Sequence, residues 1–260
     1  IGLCEGEISG IGRIWKDKDV YRYPNDDVGL TLYKGTQDQL PWAYVSGKHP
    51  DKALSYSGLA YMAGVLDLGD SASFPNFNFE VKGKLLNTGD GVDVNPADYV
   101  LDKVGLTDVE IDGIDDYRKY CANSDMLIST PMDDTSAQSA QSIINDIMTC
   151  TNAYMFWSND RFKIVPLEDR PCGNWKPNMT IMYDLTPDNF IPLNNDGALI
   201  TFERKDSSEV YNQFPVEFIN RENSYEKETV SYAVNSDIQT YGVRQASTLK
   251  AHYLYKTSRA

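Results

Sequence analysis

The stretch Phe74-Pro75-Asn76-Phe77-Asn78-Phe79-Glu80-Val81 alternates apolar and polar side chains. In an extended chain, Phe77, Phe79 and Val81 share one face, and the asparagines and Glu80 share the other. Because successive side chains of a strand point to opposite faces, this pattern predicts a β-strand with one buried face. The fold is therefore expected to be built from strands around this stretch.

Further strand patterns precede it. Residues 4–15 carry three isoleucines among small and charged residues, residues 30–33 form a short apolar run, and residues 54–68 form a longer one. Glycine and proline separate these runs, as they do in barrels and sandwiches. Residues 1–92 are therefore predicted to form a β domain.

Helical signals replace strand signals near residue 93. Asn95-Pro96 is typical of a helix start, because Asn caps a helix and Pro fits its first position. Gly105 marks the expected end of this helix. A second helix is predicted over 114–122, and a third from about Asp134 to residue 148, where apolar residues recur at spacings of three and four.

A hairpin is predicted to follow the helices. Its strands are residues 153–157 and 161–167, joined across Ser158-Asn159-Asp160. Together with the helices it predicts a small α+β domain over residues 93–170. Residues 168–195 contain four prolines and are predicted to be rich in loops.

Strand patterns return near the end of the sequence. A strand is predicted over 198–204, and residues 211–220 and 225–234 are predicted to pair through a turn. Pro215 lacks an N–H group, so its strand should be an edge strand or carry a bulge. Residues 247–260 are predicted to be helical.

The order of these elements predicts the fold class: mainly β, with an inserted α+β domain between two β regions. Hydrophobic residues make up 41% of the 260 residues and aromatic residues 12%. This aromatic content favours strands and protein–protein contact surfaces over a helical bundle. The chain starts at Ile1 without a signal pattern and stops within an expected helix, so we expect a segment of a longer protein.

Composition argues against several classes of function. The net charge of −14 disfavours nucleic-acid binding through phosphate contacts. No apolar run approaches the roughly 18 to 20 residues of a membrane span, so stable membrane insertion is not expected. Two isolated histidines and four separated cysteines disfavour a zinc cluster, and we expect free thiols that are buried or half-buried. No cofactor is expected.

Two acidic stretches are candidate metal or catalytic sites. The loop Asp90-Gly91-Val92-Asp93-Val94-Asn95 does not have the spacing of an EF-hand, which favours a loop that ends in a helix cap. The second stretch could hold a metal or paired catalytic carboxylates, or be a solvated turn followed by the acidic first turn of a helix. We favour the solvated turn and helix start. The residues of this second stretch are Asp108, Glu110, Asp112, Asp115 and Asp116.

Other candidate side chains give no catalytic pattern. Serines 55, 57, 71 and 73 lie near glycines without a G-x-S-x-G motif, and His49 precedes a proline in a polar loop. No phosphate-binding glycine motif is present. The tryptophans either line a carbohydrate cleft or lie in cores and subunit interfaces, and the second interpretation is favoured; they are Trp15, Trp42, Trp157 and Trp175.

Several stretches, taken in order, resemble the tail-tip hub proteins of long-tailed phages. This host-specificity or tip-attachment family also occurs in prophages and gene transfer agents. The similar stretches are Leu3-Cys4-Glu5-Gly6-Glu7-Ile8-Ser9-Gly10-Ile11, Tyr33-Lys34-Gly35-Thr36-Gln37, Tyr56-Ser57-Gly58-Leu59-Ala60-Tyr61, Pro75-Asn76-Phe77-Asn78-Phe79-Glu80-Val81, Asn95-Pro96-Ala97-Asp98-Tyr99-Val100-Leu101, Phe202-Glu203-Arg204, Tyr211-Asn212-Gln213 and Val216-Glu217-Phe218.

The resemblance implies two tail-tube-like β-barrels that flank the inserted domain. Residues 1–92 would form the first barrel, 93–170 the insertion, and 171–260 the second barrel region. Three copies would then make a pseudo-hexameric ring at the distal end of the tail. The implied partners are the tail tube or distal tail protein, other tail-tip proteins, and DNA only in transit. No catalytic, cofactor-binding or metal residues are implied, and the protein is expected not to be an enzyme.

Two alternatives stay open. A tail-associated glycan or peptidoglycan hydrolase would gather two carboxylates in a cleft about 5–10 Å apart. A receptor- or sugar-binding module would expose clustered aromatic rings.

Overall fold

The computed structural model describes residues 1–67, 73–84, 86, 89–105, 110–130, 139–181, 183–191, 202–206 and 209–260. The chain divides into two compact units, Ile1–Val92 and Asp93–Ala260. The described part is mainly β, with several small sheets and few helices. Each sheet found there has three strands and none closes into a barrel, so the barrels stay a prediction.

The first unit contains two antiparallel sheets. One has the order β1-β5-β4 and the other β3-β2-β6. A short helix α1 and a 3-10 turn at Pro50–Lys52 lie between β4 and β5. The bounds are β1 Gly2–Glu5, β2 Gly10–Lys16, β3 Asp19–Arg22, β4 Leu30–Lys34, α1 Ala43–Lys48, β5 Leu59–Gly64 and β6 Phe77–Lys82.

Strand residues from both sheets build the core of the first unit. The three isoleucines of residues 4–15 are all buried, and they pack with Leu30 and Met62. Phe77 and Phe79 of β6 pack against this cluster, as the alternation predicted. The prediction that residues 74–81 have one buried face is therefore confirmed for Phe77 and Phe79.

Val81 departs from that prediction, because it is 39% exposed. The pairing of β2 with β6 shifts between Ile11 and Ile14, so two β2 residues stand opposite Glu80. Glu80 lies partly buried over this bulge, where its Oε2 accepts a 2.8 Å hydrogen bond from the backbone N–H of Arg13. A Cβ on Gly12 would lie 2.3 Å from the same oxygen, so a larger residue there would displace the Glu80 carboxylate.

The second unit begins with helices packed on a small sheet of order β7-β9-β8. The predicted α2 has the predicted ends: Asn95 accepts a hydrogen bond from the N–H of Ala97, and Gly105 is left-handed at φ 68°. The hairpin also forms as predicted, with Asn159 and Asp160 at positive φ in its turn. The bounds are α2 Pro96–Val104, β7 Ile111–Asp112, α3 Ile114–Asn123, α4 Ala140–Cys150, β8 Ala153–Ser158 and β9 Arg161–Pro166.

The start predicted for the third helix, near Asp134, lies outside the described residues. The described helix α4 begins at Ala140, where the Ser139 side chain accepts from the N–H of Ser142. Its apolar stripe is buried at Ile144, Ile147 and Met148. The periodicity therefore located the buried face of this helix.

A second sheet of the second unit has the order β11-β10-β12. Strands β10 Gln213–Asn220 and β11 Glu226–Ala233 are the predicted antiparallel pair, and α5 Asn235–Tyr241 follows them. The prediction that Pro215 marks an edge or bulge is wrong, because β10 is central. On one side of β10, Gln213 bridges to Gln245, and Val216 and Glu217 pair with β12 Leu249–Lys250. Pro215 lies between these two contacts, so its missing N–H removes no pairing on that side.

The end of the chain differs from its prediction. Residues 247–260 do not form an α-helix; they contain β12 and a 3-10 turn, Thr257–Arg259. Pairing with β10 and an ion pair of Arg259 hold this segment in place, and such long-range contacts override local helix propensity. Of the strand predicted over 198–204, residues 198–201 lie outside the described part, and 202–204 are not in a strand.

Among the described residues, none of the helices has the length and apolar character needed to cross a membrane.

Candidate assembly surfaces

A groove of about 460 Å³ opens on the first unit. Its floor is the central strand β5, where Tyr61 and Met62 are buried. Its walls come from the α1 region and the loop before β5, and they include Trp42, Leu54 and Tyr56. An exposed apolar groove of this size is typical of a binding site rather than of ordinary surface.

Gln39 holds the loops that shape this groove. Its Oε1 accepts a 2.8 Å hydrogen bond from the N–H of Gly35, and its Nε2 donates to the carbonyls of Ser55 and Tyr56. Gly35 has φ 83°, and a Cβ there would lie 2.6 Å from a backbone oxygen. One buried amide therefore replaces the backbone pairing that these loops lack.

Tyr61 brings a buried polar atom to the groove. Its ring stacks on Tyr33 at 4.6 Å and meets Tyr56 edge-on at 5.6 Å. Its hydroxyl is buried and has no hydrogen-bond partner among the described residues. Burial raises the pKa of Tyr61, with smaller contributions from Tyr33 and Tyr56, so the hydroxyl keeps its proton and stays a donor.

An exposed apolar segment lies in the second unit at residues 177–181 and 183–191, which we call the arm. Met179, Ile181, Tyr183 and Leu185 are between 61% and 84% exposed. Their described neighbours are polar, and residues 176–181 and 183–186 lie in no helix, strand or turn. The sequence analysis took this region for loop. The described residues agree with that prediction, and no local pattern signalled how exposed their apolar side chains are.

The hairpin β8–β9 exposes further aromatic surface. Tyr154 and Trp157 are 59% and 60% exposed. Tyr154 stacks on Phe156 at 5.7 Å, and Trp157 meets Phe162 edge-on at 4.8 Å. Aromatic rings are enriched at protein interfaces, so this hairpin is a second candidate contact surface.

The other tryptophans are spread over both units. Trp175 is buried and donates from Nε1 to Asp116 at 2.9 Å. Trp15 is half-buried under the guanidinium of Arg13, and Trp42 belongs to the groove. Core and surface positions both occur, and no described cleft gathers all four rings.

The acidic stretch does not form a catalytic pair among the described residues. Asp108 lies outside the described part, and Glu110 is exposed. The other members have structural partners: Asp112 faces Arg161 at 3.5 Å, Asp115 pairs with Arg118, and Asp116 accepts from Trp175. No group of acids, histidines or cysteines suited to a metal occurs in the described ranges.

The loop 90–95 is a turn followed by a helix cap. Asp90 accepts from the N–H of Val92, and Asn95 caps α2. Asp93, which is 1% exposed, instead pairs with Arg221 and Arg259. These contacts tie the start of the second unit to its last residues, a role that no local pattern signalled.

The remaining candidates are dispersed. His49 is exposed at the end of α1, Ser55 and Ser57 contact each other at 3.2 Å, and Ser71 lies outside the described residues. The cysteines are free; Cys121 is buried and the others are half-buried. Burial raises the pKa of Cys121 and of Cys150 to about 12. These thiols therefore remain protonated near neutral pH.

Comparisons with known proteins found similarity in sequence to one family and in fold to solved structures. Residues 139–256 match the model of the family Phage-tail_3, described as "Putative phage tail protein". A comparison with curated proteins gave no match. Eight chains of solved structures match.

One of these eight is a chain of the structure titled "Virion of native gene transfer agent (GTA) particle". It matches with a TM-score of 0.61 and 17% sequence identity, and the match covers all of this chain. This chain spans 62% of the length of that virion chain. The likeness shows a shared fold.

Proposed function

We propose that this chain is the hub of a phage-type tail tip, joining the tail tube to the distal receptor-binding apparatus. The observation that carries the proposal is the shared fold, over the whole chain, with a chain of a gene transfer agent virion. The match of residues 139–256 to a phage tail family supports it independently. Exposed aromatic and apolar surfaces on both units support a role in assembly with other tail components.

In this proposal the hub is a homotrimer. Residues 1–92 and 171–260 each supply a β-barrel domain resembling the tube protein, and residues 93–170 are an insertion between them. Three copies then present six similar surfaces to a sixfold tube. Three-stranded sheets such as β1-β5-β4 and β11-β10-β12 leave strand edges unpaired. Ring closure would cover such edges, which otherwise favour aggregation.

The net charge of −14 suggests how DNA passes through the ring. A lumen lined by carboxylates would repel the phosphate backbone, so DNA would move through without binding. A lumen lined mainly by lysine and arginine in the assembled ring would contradict this part of the proposal.

The test is the arrangement of this chain in intact tails. We expect cryo-electron microscopy of the particle to place three copies at the distal end of the tube, with the two β regions superposing after a rotation of about 60°. Two β regions that do not superpose, or copies located along the tube, would refute the hub. Sedimentation equilibrium of the isolated chain provides a second readout, with a trimer expected.

A further inference from the structure

Residues 249–259 contact two parts of the second unit, and we call them the strap. One part is the sheet that contains β10 and β11, and the other is the α+β part, made of α2 to α4 and the sheet β7-β9-β8. We propose that the strap opens and closes as one unit and that its closure holds the two parts together. The device acts within a single copy of the chain, whether or not copies assemble into a hub.

Backbone hydrogen bonds attach the strap to β10. The strap begins as β12, which pairs with β10 in parallel. Beyond β12, the N–H of Ala251 donates to the carbonyl of Glu217 at 2.8 Å, and the N–H of Ile219 donates to the carbonyl of Leu254 at 3.3 Å. Donors on both segments therefore lose their acceptors when the strap leaves β10.

His252 adds a side-chain contact to the same strand. Its Nε2 lies 2.5 Å from Oε1 of Glu217, and the two side chains are 33% and 27% exposed. The hydrogen bond from His252 lowers the pKa of Glu217, against the opposing effect of desolvation. Glu217 is therefore ionised near neutral pH, and the contact depends on its charge.

The strap also contacts the α+β part. The N–H of Ser129, in the loop after α3, donates to the carbonyl of Tyr253 at 3.0 Å. The thiol of Cys150, at the end of α4, lies 3.8 Å from the carbonyl of Lys250. One short segment thus bonds to β10 and to the helical layer within a few residues.

The far end of the strap is anchored by charge. The side chain of Arg259 is 1% exposed and pairs with Asp93, just before α2, and with Asp125, just after α3. Arg221, in the turn between β10 and β11, pairs with the same Asp93. The two parts of the unit therefore meet at one buried carboxylate that the strap helps to neutralise.

The strap has less regular structure than the parts that it joins. It contains the two-residue β12 and the 3-10 turn Thr257–Arg259. In contrast, α3 has ten residues, and β10 and β11 have eight each. Segments held by few backbone hydrogen bonds open at a lower free energy than their surroundings. Ala251 and Leu254 are 1% and 3% exposed, so their buried contacts are lost together and the opening is cooperative.

Hydrogen exchange of single amides, followed by NMR at constant pH, tests this opening. The amides of Ser129, Ile219 and Ala251 are far apart in the sequence, but each hydrogen bond joins the strap to another segment. We expect their opening constants to agree within about a factor of two, as in one cooperative unit. Amides in the middle of α3 should be better protected than these three.

Variants of the strap contacts sharpen the test. Glu217→Gln removes the charge that binds His252 and should raise the opening constant of all three amides about two- to fivefold. The matched control Glu226→Gln makes the same change at an exposed position of β11 and should leave them unchanged. Leu254→Ala removes a buried side chain of the strap and should raise the opening constant at least about 30-fold.

Residual dipolar couplings from the same samples test whether the strap holds the two parts together. In the unaltered chain, couplings from α3 and from the β10–β11 pair should fit a single alignment frame. In Leu254→Ala they should need two frames, because the α+β part then moves relative to the sheet. If Leu254→Ala does not fold, Glu217→Gln still tests the opening.

Two results would overturn the proposal. Opening constants that differ by more than about tenfold among the three amides, or that equal those of α3, would show that the strap does not open as one unit. A single alignment frame in a Leu254→Ala chain whose strap amides exchange freely would show that other contacts hold the two parts together.

Discussion

Replacing the buried carboxylate of Asp93 by an amide should destabilise the second unit strongly. Asp93 is 1% exposed and accepts hydrogen bonds from the guanidinium groups of Arg221 and Arg259. The side chain of Arg259 is also 1% exposed. Asp93→Asn keeps the size of the side chain but removes its charge, so two cations face each other across a neutral amide.

The expected cost is about 3–5 kcal/mol, the usual effect of breaking a buried ion pair from one side. A matched control is Asp125→Asn, because Asp125 pairs with the same Arg259 but its side chain is 59% exposed. Solvent screens the Asp125 carboxylate, and Arg259 keeps its buried partner Asp93, so this control should change the free energy of unfolding by roughly 1 kcal/mol or less. With a slope near 2 kcal/mol per molar urea, Asp93→Asn should lower the unfolding midpoint by about 1.5–2.5 M.

Pulsed alkylation in increasing urea would measure the two units separately. Cys121 is fully buried in the second unit, and Cys4 lies in the first. Asp93→Asn should shift the labelling transition of Cys121 and leave that of Cys4 unchanged. Equal midpoints for the two aspartate variants would refute the reasoning, since burial would then not decide the cost.

Three further outcomes are expected. In urea unfolding, Gly113→Ala should lower stability by clearly more than Gly91→Ala. Both glycines have φ near +80°, but only at Gly113 would the new methyl group meet a carbonyl oxygen, at 2.3 Å. Equal losses of stability would mean that backbone strain alone decides the cost. The alkylation rate of Cys150 should keep rising up to about pH 12, whereas that of free cysteine levels off near its ordinary pKa of 9. Burial raises the pKa of the Cys150 thiol and so lowers its thiolate fraction at any lower pH. A plateau near pH 9 would contradict this prediction. Gln39→Leu should lower the thermal midpoint of the first unit and its free energy of unfolding by about 2–4 kcal/mol. The reason is that the N–H of Gly35 and the carbonyls bound by the Gln39 amide would lose a buried partner. An unchanged midpoint would show that water replaces the amide.

Elements with a strong local signal were predictable from the sequence. Helix α2 begins and ends where Asn95-Pro96 and Gly105 predicted, because both caps act within one turn of the backbone. The hairpin β8–β9 likewise depends on a two-residue turn and on alternating strands that are neighbours in the chain. Such features need no information from distant residues.

The candidate surfaces were not predictable to the same degree. The arm was predicted to be loop, and its described residues lie in no strand or α-helix, but no local pattern signalled the exposure of its apolar side chains. The groove joins β5 to residues of the α1 region, and its shape depends on Gln39, whose partners lie up to 20 residues away. No local pattern marks a glutamine that binds three separate carbonyls.

The sequence by itself determined the mainly β character of the fold, the caps of α2, the buried isoleucines of the first unit and the acidic charge of the chain. These follow from backbone preferences and hydrophobic periodicity, which act over a few residues. Tertiary structure decided the bulge of β2 opposite Glu80, the exposure of Val81, the central position of β10 despite Pro215, and the non-helical end held by Arg259. These depend on contacts between residues tens to more than a hundred positions apart, and the free energy of such contacts exceeds the small local propensities that they override.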